Sequence, residues 1–261
     1  TRTYGSMGGA IILSLYPIRK EPIMISVCMA TYNGEKYLKE QLDSILKQIQ
    51  SSDELIVSDD GSSDLTRAIV QEYQNQYKNI HLVNGPKCGV QKNFENALKH
   101  AKGDILFLSD QDDIWVEGKV DRVLKEFENK NTLCVVHDAE IVDGNLNRVQ
   151  DSFFKLKNGK PGLLHNLYKN AFIGCCMAFR KSVFEKSYPF PDHIEMHDWW
   201  IGLVAECMGD TVFIYEPYLK YRRHGENTSS LHHHPLKKMI SNRLYFIWQL
   251  IVRWKQVGWH D

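Results

Sequence analysis

The sequence lacks three features that would assign the chain to well-known classes of protein. Neither G-x-x-x-x-G-K-[ST] nor G-x-G-x-x-G occurs in its 261 residues, which excludes two common phosphate-binding loops. Lysine and arginine together number 32, as do aspartate and glutamate, so no net charge attracts nucleic acid and we expect no nucleic-acid partner. No apolar run reaches the roughly 18 residues of a membrane-spanning helix, so none is predicted.

The spacing of the cysteines excludes the commonest zinc and redox motifs. Six cysteines occur, and no two of them form a C-x-x-C pair. Buried, reduced thiols in a cytoplasmic protein are therefore expected. Residues 1–22 carry one short apolar patch and no clear cleavage site, and we interpret them as a leader or vector-derived segment outside the folded domain.

Buried strands alternate with amphipathic helices in the first 145 residues. Continuous apolar runs such as ISVCMAT and LIVSD predict strands buried on both faces, and stripes such as Leu38, Leu42 and Ile45 predict the helices between them. Asn33 is the expected cap of the first helix, and Ser62 or Ser63 of the second. The alternation predicts a single α/β domain with a mostly parallel central sheet and right-handed crossovers.

The pattern loosens after residue 145. Residues 151–162 read as a loop, 172–180 as a strand and 196–209 as a helix, followed by one or two short strands within 211–227. No linker rich in Gly, Pro or Ser interrupts the chain, so one domain with a C-terminal extension is predicted.

Polar clusters follow three of the predicted strands directly. They are Thr31-Tyr32-Asn33, Asp59-Asp60-Gly61-Ser62 and Asp110-Gln111-Asp112-Asp113. Because ligand sites of parallel sheets lie at the carboxyl ends of strands, these clusters should meet at one edge. Carboxylates there can accept hydrogen bonds from a nucleotide or hold Mg²⁺ or Mn²⁺. The alternative is that they only cap helices and complete turns, which is easier to accept for Asp59-Asp60 than for three acids in four positions.

Four sequence blocks in this order resemble the nucleotide-sugar half of family 2 glycosyltransferases. They are ISVCMATYNGEKYLKEQLDSILKQ, LIVSDDGSSDLT, NGPKCGVQKNFENALKHAKGD and LFLSDQDDIW. The later blocks MHDWWIGLVAECMGD and YRRHGEN are similar to the acceptor half of the bacterial rhamnosyltransferase branch. The resemblance covers roughly residues 24–230. It implies the Rossmann-like A-type glycosyltransferase fold, with residues 23–115 as the nucleotide-sugar half and 116–230 as the acceptor half. Beyond it, the composition of residues 231–261 predicts a basic amphipathic C-terminal helix.

The resemblance also implies roles for individual residues. Positions expected to contact the donor are Thr31, Tyr32, Asn33, Glu35, Asp59, Asp60, Lys92, Asn93, Asp110, Gln111 and Asp112. Within the Asp-x-Asp motif, Asp112 is the expected metal ligand, with His224 as a further ligand and Gln111 as a tolerated filler. Asp198 matches the catalytic base. Its position at a helix start favours the charged form, whereas the adjacent tryptophans can desolvate it, and the sequence does not decide between the two effects.

The implied activity is inverting, metal-dependent transfer of a sugar from a nucleotide donor to a cell-surface polysaccharide or lipid-linked acceptor. The branch suggests L-rhamnose from dTDP-rhamnose. Alternatives are a UDP-hexose-dependent enzyme of the same fold and a catalytically silent nucleotide-sugar-binding protein. A phosphate-accepting signalling domain would fit the first half of the chain but leaves MHDWW unexplained.

The tail combines apolar, aromatic and basic residues. Residues 235–261 predict an amphipathic helix that either makes peripheral contact with the inner face of the plasma membrane or packs on the catalytic domain or on the partner of a homodimer. The sequence leaves these possibilities open.

Overall fold

One mixed sheet organises the part of the chain that the computed structural model describes, residues 23–225 and 236–259. The predicted leader, residues 1–22, lies outside it. The strands are β1 Ile25–Thr31, β2 Glu54–Asp59, β3 Ile80–Asn84, β4 Ile105–Ser109, β5 Ile114–Trp115, β6 Thr132–Asp143, β7 Arg148–Gln150, β8 Met177–Arg180 and β9 Asp210–Arg223. The helices are α1 Leu38–Leu46, α2 Thr66–Gln76, α3 Val90–His100, α4 Lys119–Glu126, α5 Phe153–Lys157, α6 Leu163–Tyr168, α7 Lys181–Ser187, α8 His197–Met208 and α9 Leu236–Val257.

The strand order places a topological switch beside β1. The order is β3-β2-β1-β4-β8-β6-β9-β5, with β7 added to β6. The first four strands pair in parallel, and β8 pairs antiparallel with both β4 and β6. The chain steps outward from β1 to β3 and then returns to the other side of β1 as β4. Such a reversal opens a crevice at the carboxyl ends of the two strands, where ligands of α/β sheets bind.

The helices of the first half form where the apolar stripes predicted them. Leu38, Leu42 and Ile45 of α1 are fully buried, and burying each contributes roughly 1.5–3 kcal/mol. The predicted caps are wrong, because α1 begins after Tyr37 and α2 after Leu65. The Asn33 side chain instead accepts a hydrogen bond from the Ser63 backbone N–H (2.9 Å), which ties the loop after β1 to the loop after β2.

The second half departs from the sequence prediction at three places. In place of the one or two short strands predicted within 211–227, the single strand β9 runs from Asp210 to Arg223, because it pairs with β6 along most of its length. Residues 151–162 contain the short helix α5, because Ser152 caps it by accepting a hydrogen bond from the Lys155 N–H. The predicted strand 172–180 starts with a 3₁₀ turn, Gly174–Cys176, and only Met177–Arg180 is extended. The predicted helix at 196–209 is present as α8, and both of its tryptophans are buried.

Helix α9 packs on the domain along one face. The Phe246 ring lies 4.5 Å from the Trp199 ring, centre to centre, and the Arg253 guanidinium donates to the backbone carbonyl of Tyr188 (2.6 Å). Within the described ranges, no helix combines the length and apolarity needed to cross a bilayer. The cysteines are unpaired; four are buried as expected, whereas Cys88 is exposed and Cys207 is half-buried.

Candidate active site

A cavity of about 890 Å³ lies at the carboxyl ends of β1 and β4, where the topology predicts it. Both halves of the chain line it. The residues predicted from sequence that the structure brings to this cavity are Thr31, Tyr32, Asn33, Asp60, Asn93, Asp110, Gln111, Asp112, Asp198 and His224.

Three predicted donor contacts lie outside the cavity lining and have structural partners. The buried Asp59 carboxylate accepts hydrogen bonds from Thr31, Ser62 and Arg67. Burial alone would raise the pKa of Asp59, but these bonds lower it below its usual value. Glu35 accepts from the Leu65 N–H (2.7 Å) at the start of α2. Lys92 pairs with Glu95 at 2.8 Å and donates to the Phe190 carbonyl, away from the cavity.

Gln111 joins the loop after β4 to the end of β1. Its Nε2 donates to the Tyr32 carbonyl (3.0 Å) and its Oε1 accepts from the Tyr32 N–H (2.9 Å). A Cβ added at Gly34 would lie 2.2 Å from Gln111 Oε1, so a side chain there would break this pairing. Gln111 is therefore more than the filler that the sequence suggested, because it fixes the wall of the cavity.

Asp60 and Asn93 hold the opposite wall. The Asp60 carboxylate accepts from the backbone N–H groups of Lys87 (2.6 Å) and Gly89 (2.9 Å). The buried Asn93 amide donates to the carbonyls of Thr31 and Ser58, which connects α3 to β1 and β2. Both residues also line the cavity, so their hydrogen bonds hold the backbone that forms this wall.

The acidic run that follows β4 encloses a buried cation. Lys119 is fully buried, its Nζ donates to the Cys175 carbonyl (2.8 Å), and it lies 4.1 Å from the centre of the Trp115 ring. Burial lowers the pKa of Lys119 to about 8, although Asp113 and Asp110 oppose the shift. Burial, followed by Asp112 and Asp198, raises the pKa of Asp110 to about 7. The buried Arg222 is a second cation at this run, because its Nε donates to the Asp112 carbonyl (2.8 Å) and its backbone N–H to Asp113 Oδ1 (2.9 Å).

The donor atoms here suit a divalent cation. Asp112 Oδ2 lies 2.8 Å from His224 Nε2, and both side chains line the cavity. Oδ2 of the fully buried Asp113 has no hydrogen-bond partner in the described part of the chain, and carboxylate oxygens of Asp110 and Asp113 lie within 4.8 Å of each other and of Cys175 Sγ. Carboxylate oxygens are the ligands that Mg²⁺ and Mn²⁺ prefer, and these acids supply several of them around one corner of the cavity. The residues present therefore fit the expected metal.

Asp198 faces this corner from α8. Its Oδ2 accepts from the Gly174 N–H (2.9 Å) and its Oδ1 from the Trp199 N–H (2.7 Å). Burial raises the pKa of Asp198 to about 6, although these two bonds favour the charged form. Desolvation therefore outweighs the helix start, which answers the question that the sequence left open. A carboxylate with a pKa near 6 is ionised at neutral pH and can accept a proton.

Sequence reasoning missed His197, Lys36 and Lys87 as lining residues of this cavity. The His197 ring is 2% exposed and stacks on Phe94 with ring centres 4.2 Å apart, and neither of its nitrogens has a hydrogen-bond partner among the described residues. Burial lowers its pKa to about 3, so the ring is neutral. The sequence signal was available, since His197 directly precedes Asp198, but a lone histidine gives no indication of an unsatisfied environment.

Comparison with known proteins assigns the family. The sequence model described as Glycosyl transferase family 2 matches residues 26–188, which is more than half of the chain and runs from the second residue of β1 to beyond β8. The chain belongs to glycosyl transferase family 2. The resemblance to this family that the sequence motifs indicated is therefore confirmed.

Two relatives of known name align over most of the chain. The dTDP-rhamnosyl transferase RfbG of Shigella flexneri is 30% identical over 215 residues, covering 76% of this chain and 72% of that protein. The UDP-Glc:alpha-D-GlcNAc-diphosphoundecaprenol beta-1,3-glucosyltransferase WfgD of Escherichia coli is 28% identical over 184 residues, covering 70% of each.

Solved structures confirm the fold. S. aureus TarS 1–349 in complex with UDP-GlcNAc gives a TM-score of 0.68 at 22% identity, covering 86% of this chain and 66% of that one. The mannosyltransferase PcManGT from Pyrobaculum calidifontis in complex with GDP-Man and Mn²⁺ gives a TM-score of 0.60 at 19% identity, covering 92% of this chain and 66% of that one. At these identities the likeness shows the fold alone, and it confirms the predicted A-type glycosyltransferase architecture. This chain spans slightly less than two thirds of both structures.

Proposed function

We propose that this chain is an inverting glycosyltransferase that binds a nucleotide sugar in the cavity beside β1 and β4. The observation that carries the proposal is that Asp112 with His224 and the buried Asp198 line one cavity although they come from distant parts of the sequence. Residues 23–115 would supply the nucleotide-sugar half and residues 116–230 the acceptor half. The complexes of TarS with UDP-GlcNAc and of PcManGT with GDP-Man support a nucleotide-sugar ligand.

Asp112 and His224 would hold Mg²⁺ or Mn²⁺, with Asp110 close by. A bound divalent cation would neutralise the charge that develops on the departing diphosphate. Lys36 and Lys87 line the same cavity and can add positive charge toward the phosphates. Support for the metal comes from the donor set of this corner and from the Mn²⁺ in the PcManGT complex.

Asp198 would act as the general base. Its carboxylate takes the proton of the acceptor hydroxyl, the hydroxyl oxygen forms a bond to the anomeric carbon, and the bond from that carbon to the diphosphate oxygen breaks with its electron pair. Attack from the face opposite the diphosphate inverts the anomeric configuration. A positioned base of this kind contributes about 10²–10⁴-fold to the rate.

We further propose dTDP-L-rhamnose as the donor and a cell-surface polysaccharide or lipid-linked glycan as the acceptor, with the protein acting at the cytoplasmic face of the plasma membrane. RfbG is the relative that supports rhamnose. WfgD supports the alternative of a UDP-hexose donor and, by its name, an acceptor carried on diphosphoundecaprenol. A silent nucleotide-sugar-binding protein is the remaining alternative, and the presence of Asp112 and Asp198 together argues against it.

A donor panel tests these alternatives. The chain is mixed with dTDP-rhamnose, UDP-glucose, UDP-galactose or UDP-GlcNAc, with Mg²⁺, Mn²⁺ or EDTA, and both the melting temperature and release of the nucleoside diphosphate are measured. We expect one donor to raise the melting temperature in the presence of metal and to be turned over. Binding without turnover, even with candidate acceptors, would favour the silent protein, and stabilisation by none of the donors would refute the proposal.

A further inference from the structure

Helix α9 exposes a continuous apolar stripe. Its members recur at helical spacing, and each is between 40% and 62% exposed: Ile240, Leu244, Ile247, Trp248, Ile251 and Trp254. The neighbouring helix α6 extends the stripe with Leu164 (82% exposed) and Tyr168 (76% exposed). Arg243 links the two helices, because its Nε donates to the Tyr168 carbonyl (3.0 Å). Contiguous apolar surface of this kind marks an interaction site rather than scattered exposure.

The other face of α9 packs on the domain and so directs the stripe outward. Phe246, Leu250 and Arg253 are buried against the domain, and Asn242 Nδ2 donates to Glu195 Oε2 (2.5 Å). The helix is therefore held rigidly, with its apolar stripe directed outward. The same stripe is too polar at its edges for a membrane-spanning segment, in keeping with the absence of a spanning helix among the described residues.

The basic residues of α9 indicate which kind of partner binds the stripe. Between residues 236 and 257 the sequence has five basic residues and no acidic residue, although the whole chain has no net charge. Lys237, Lys238 and Lys255 are exposed, whereas Arg253 is buried against the domain. In a two-fold dimer through this stripe, each basic face would meet its own copy, which like charges disfavour. An anionic bilayer surface attracts the lysines, and its interface accommodates tryptophan and the aliphatic side chains.

We infer that the stripe of α9, extended by α6, binds the surface of an anionic lipid bilayer, with α9 lying in the interfacial plane. Trp199, which packs on Phe246 of α9, directly follows Asp198. The docked helix would therefore hold the acceptor side of the cavity close to the membrane surface. This consequence for a lipid-linked acceptor rests on the proposed function, whereas the lipid contact itself does not.

Vesicle co-sedimentation of the full chain tests the contact. Vesicles of phosphatidylglycerol mixed with phosphatidylcholine should pellet the protein, and vesicles of phosphatidylcholine alone should pellet much less. Lys237→Glu with Lys255→Glu should weaken binding to the anionic vesicles by roughly tenfold or more, because each basic residue near such a surface favours binding about fivefold. The matched control is Lys78→Glu with Lys125→Glu, which makes the same charge change on exposed residues outside α6 and α9.

A second pair of variants tests the apolar part of the stripe. Leu244→Glu with Ile251→Glu should abolish pelleting, whereas Val149→Glu with Leu156→Glu, two exposed apolar residues on β7 and α5, should not. Circular dichroism of each variant verifies folding, which is expected because all the substituted side chains are exposed. Equal pelleting of all variants, or no pelleting of the wild type, would overturn the inference. Self-association that Leu244→Glu with Ile251→Glu abolishes, without vesicle binding, would identify a second copy as the occupant instead.

Lipid binding and sugar transfer are measured in separate assays. Release of nucleoside diphosphate with a water-soluble acceptor analogue reports the transfer reaction without vesicles, and the stripe variants should leave it unchanged. A variant that loses vesicle binding but still transfers sugar in solution would show that only its lipid-binding surface is changed. Intact vesicle binding in a protein that transfers no sugar would instead contradict the proposed function.

Discussion

The pH dependence of transfer follows from the burial of Asp198. With a pKa of about 6, the base is about nine-tenths ionised at pH 7, about one-tenth at pH 5 and about one-hundredth at pH 4. The value of kcat/KM should therefore fall tenfold for each pH unit below 6 and be flat above 7. Saturating Mn²⁺ keeps the carboxylates near Asp112 ionised, because a cation favours their charged form, so the acid limb reports Asp198.

Replacing Asp198 by asparagine separates catalysis from folding. The pKa difference from 3.8 to about 6 means that ionised Asp198 costs the fold about 3 kcal/mol; this cost is absent below pH 3.8, grows as the pH rises from 3.8 to 6 and is complete above 6. The amide removes this cost but leaves the Gly174 or Trp199 N–H without an anionic acceptor, at about 1–3 kcal/mol. The free energy of unfolding at pH 8 should thus change by no more than about 2 kcal/mol.

The assay is steady-state release of nucleoside diphosphate between pH 4.5 and about 8.5, with donor affinity measured separately by calorimetry. Asp198→Asn should lower kcat by about 10²–10⁴-fold with donor affinity nearly intact, and its acid limb should disappear. Glu206→Gln is the matched control, because Glu206 lies on the same helix outside the cavity and its Oε1 accepts from the Gly162 N–H. Turnover of Asp198→Asn within a few fold of wild type, or an unchanged acid limb, would refute the assignment of the base.

Three further predictions concern the metal, the cavity wall and the core. Asp112→Asn should weaken Mn²⁺-dependent binding of a nucleoside diphosphate by at least about tenfold in calorimetry, and equal affinity with and without Mn²⁺ in the wild type would contradict the metal site. His197→Phe should raise the melting temperature, because it removes two buried unpartnered nitrogens at about 1–3 kcal/mol each. The same substitution should lower kcat/KM; a variant with the kcat/KM of the wild type would show that the ring contacts no substrate. Gly202→Ala should lower the melting temperature by several degrees, since its Cβ would lie 2.5 Å from three ring atoms of the buried Phe172, and an unchanged melting temperature in a thermal scan would show that α8 shifts freely.

The first half of the fold was predictable because its signals are local. Each of β1, β2 and β4 is a short apolar run buried along its whole length, and stripes such as Leu38, Leu42 and Ile45 lie between them. Right-handed crossovers then leave few ways to order parallel strands. The polar clusters at the strand ends met at one edge for the same reason.

The second half depends on contacts between residues that are distant in sequence. The strand β8 is inserted between β4 and β6, and its four residues carry no mark of that place. The two-residue strand β5 exists only because it pairs with Leu219 and Lys220 of β9. Such elements are stabilised by tertiary pairing rather than by their own propensity, so the sequence predicts a strand that includes β8 but not its place in the sheet, and does not predict β5.

At the site, residue type predicted position better than role. The sequence placed Asp59 and Asp60 together, but only the fold shows that Asp59 is held by Thr31, Ser62 and Arg67 while Asp60 lines the cavity. Two buried cations lie beside the acidic run, Lys119 of α4 and Arg222 of β9, and no pattern in the sequence connects Lys119 with these acids. Charge compensation of this kind is decided by burial, which sequence patterns specify only on average.

The most direct test is diffraction from crystals soaked with a nucleoside diphosphate and Mn²⁺, recorded where manganese scatters anomalously. The account predicts an anomalous peak bound to Asp112, with the diphosphate beside it in the cavity at the carboxyl ends of β1 and β4 and Asp198 facing the vacant sugar position. A nucleotide bound elsewhere, with no manganese at Asp112, would contradict it.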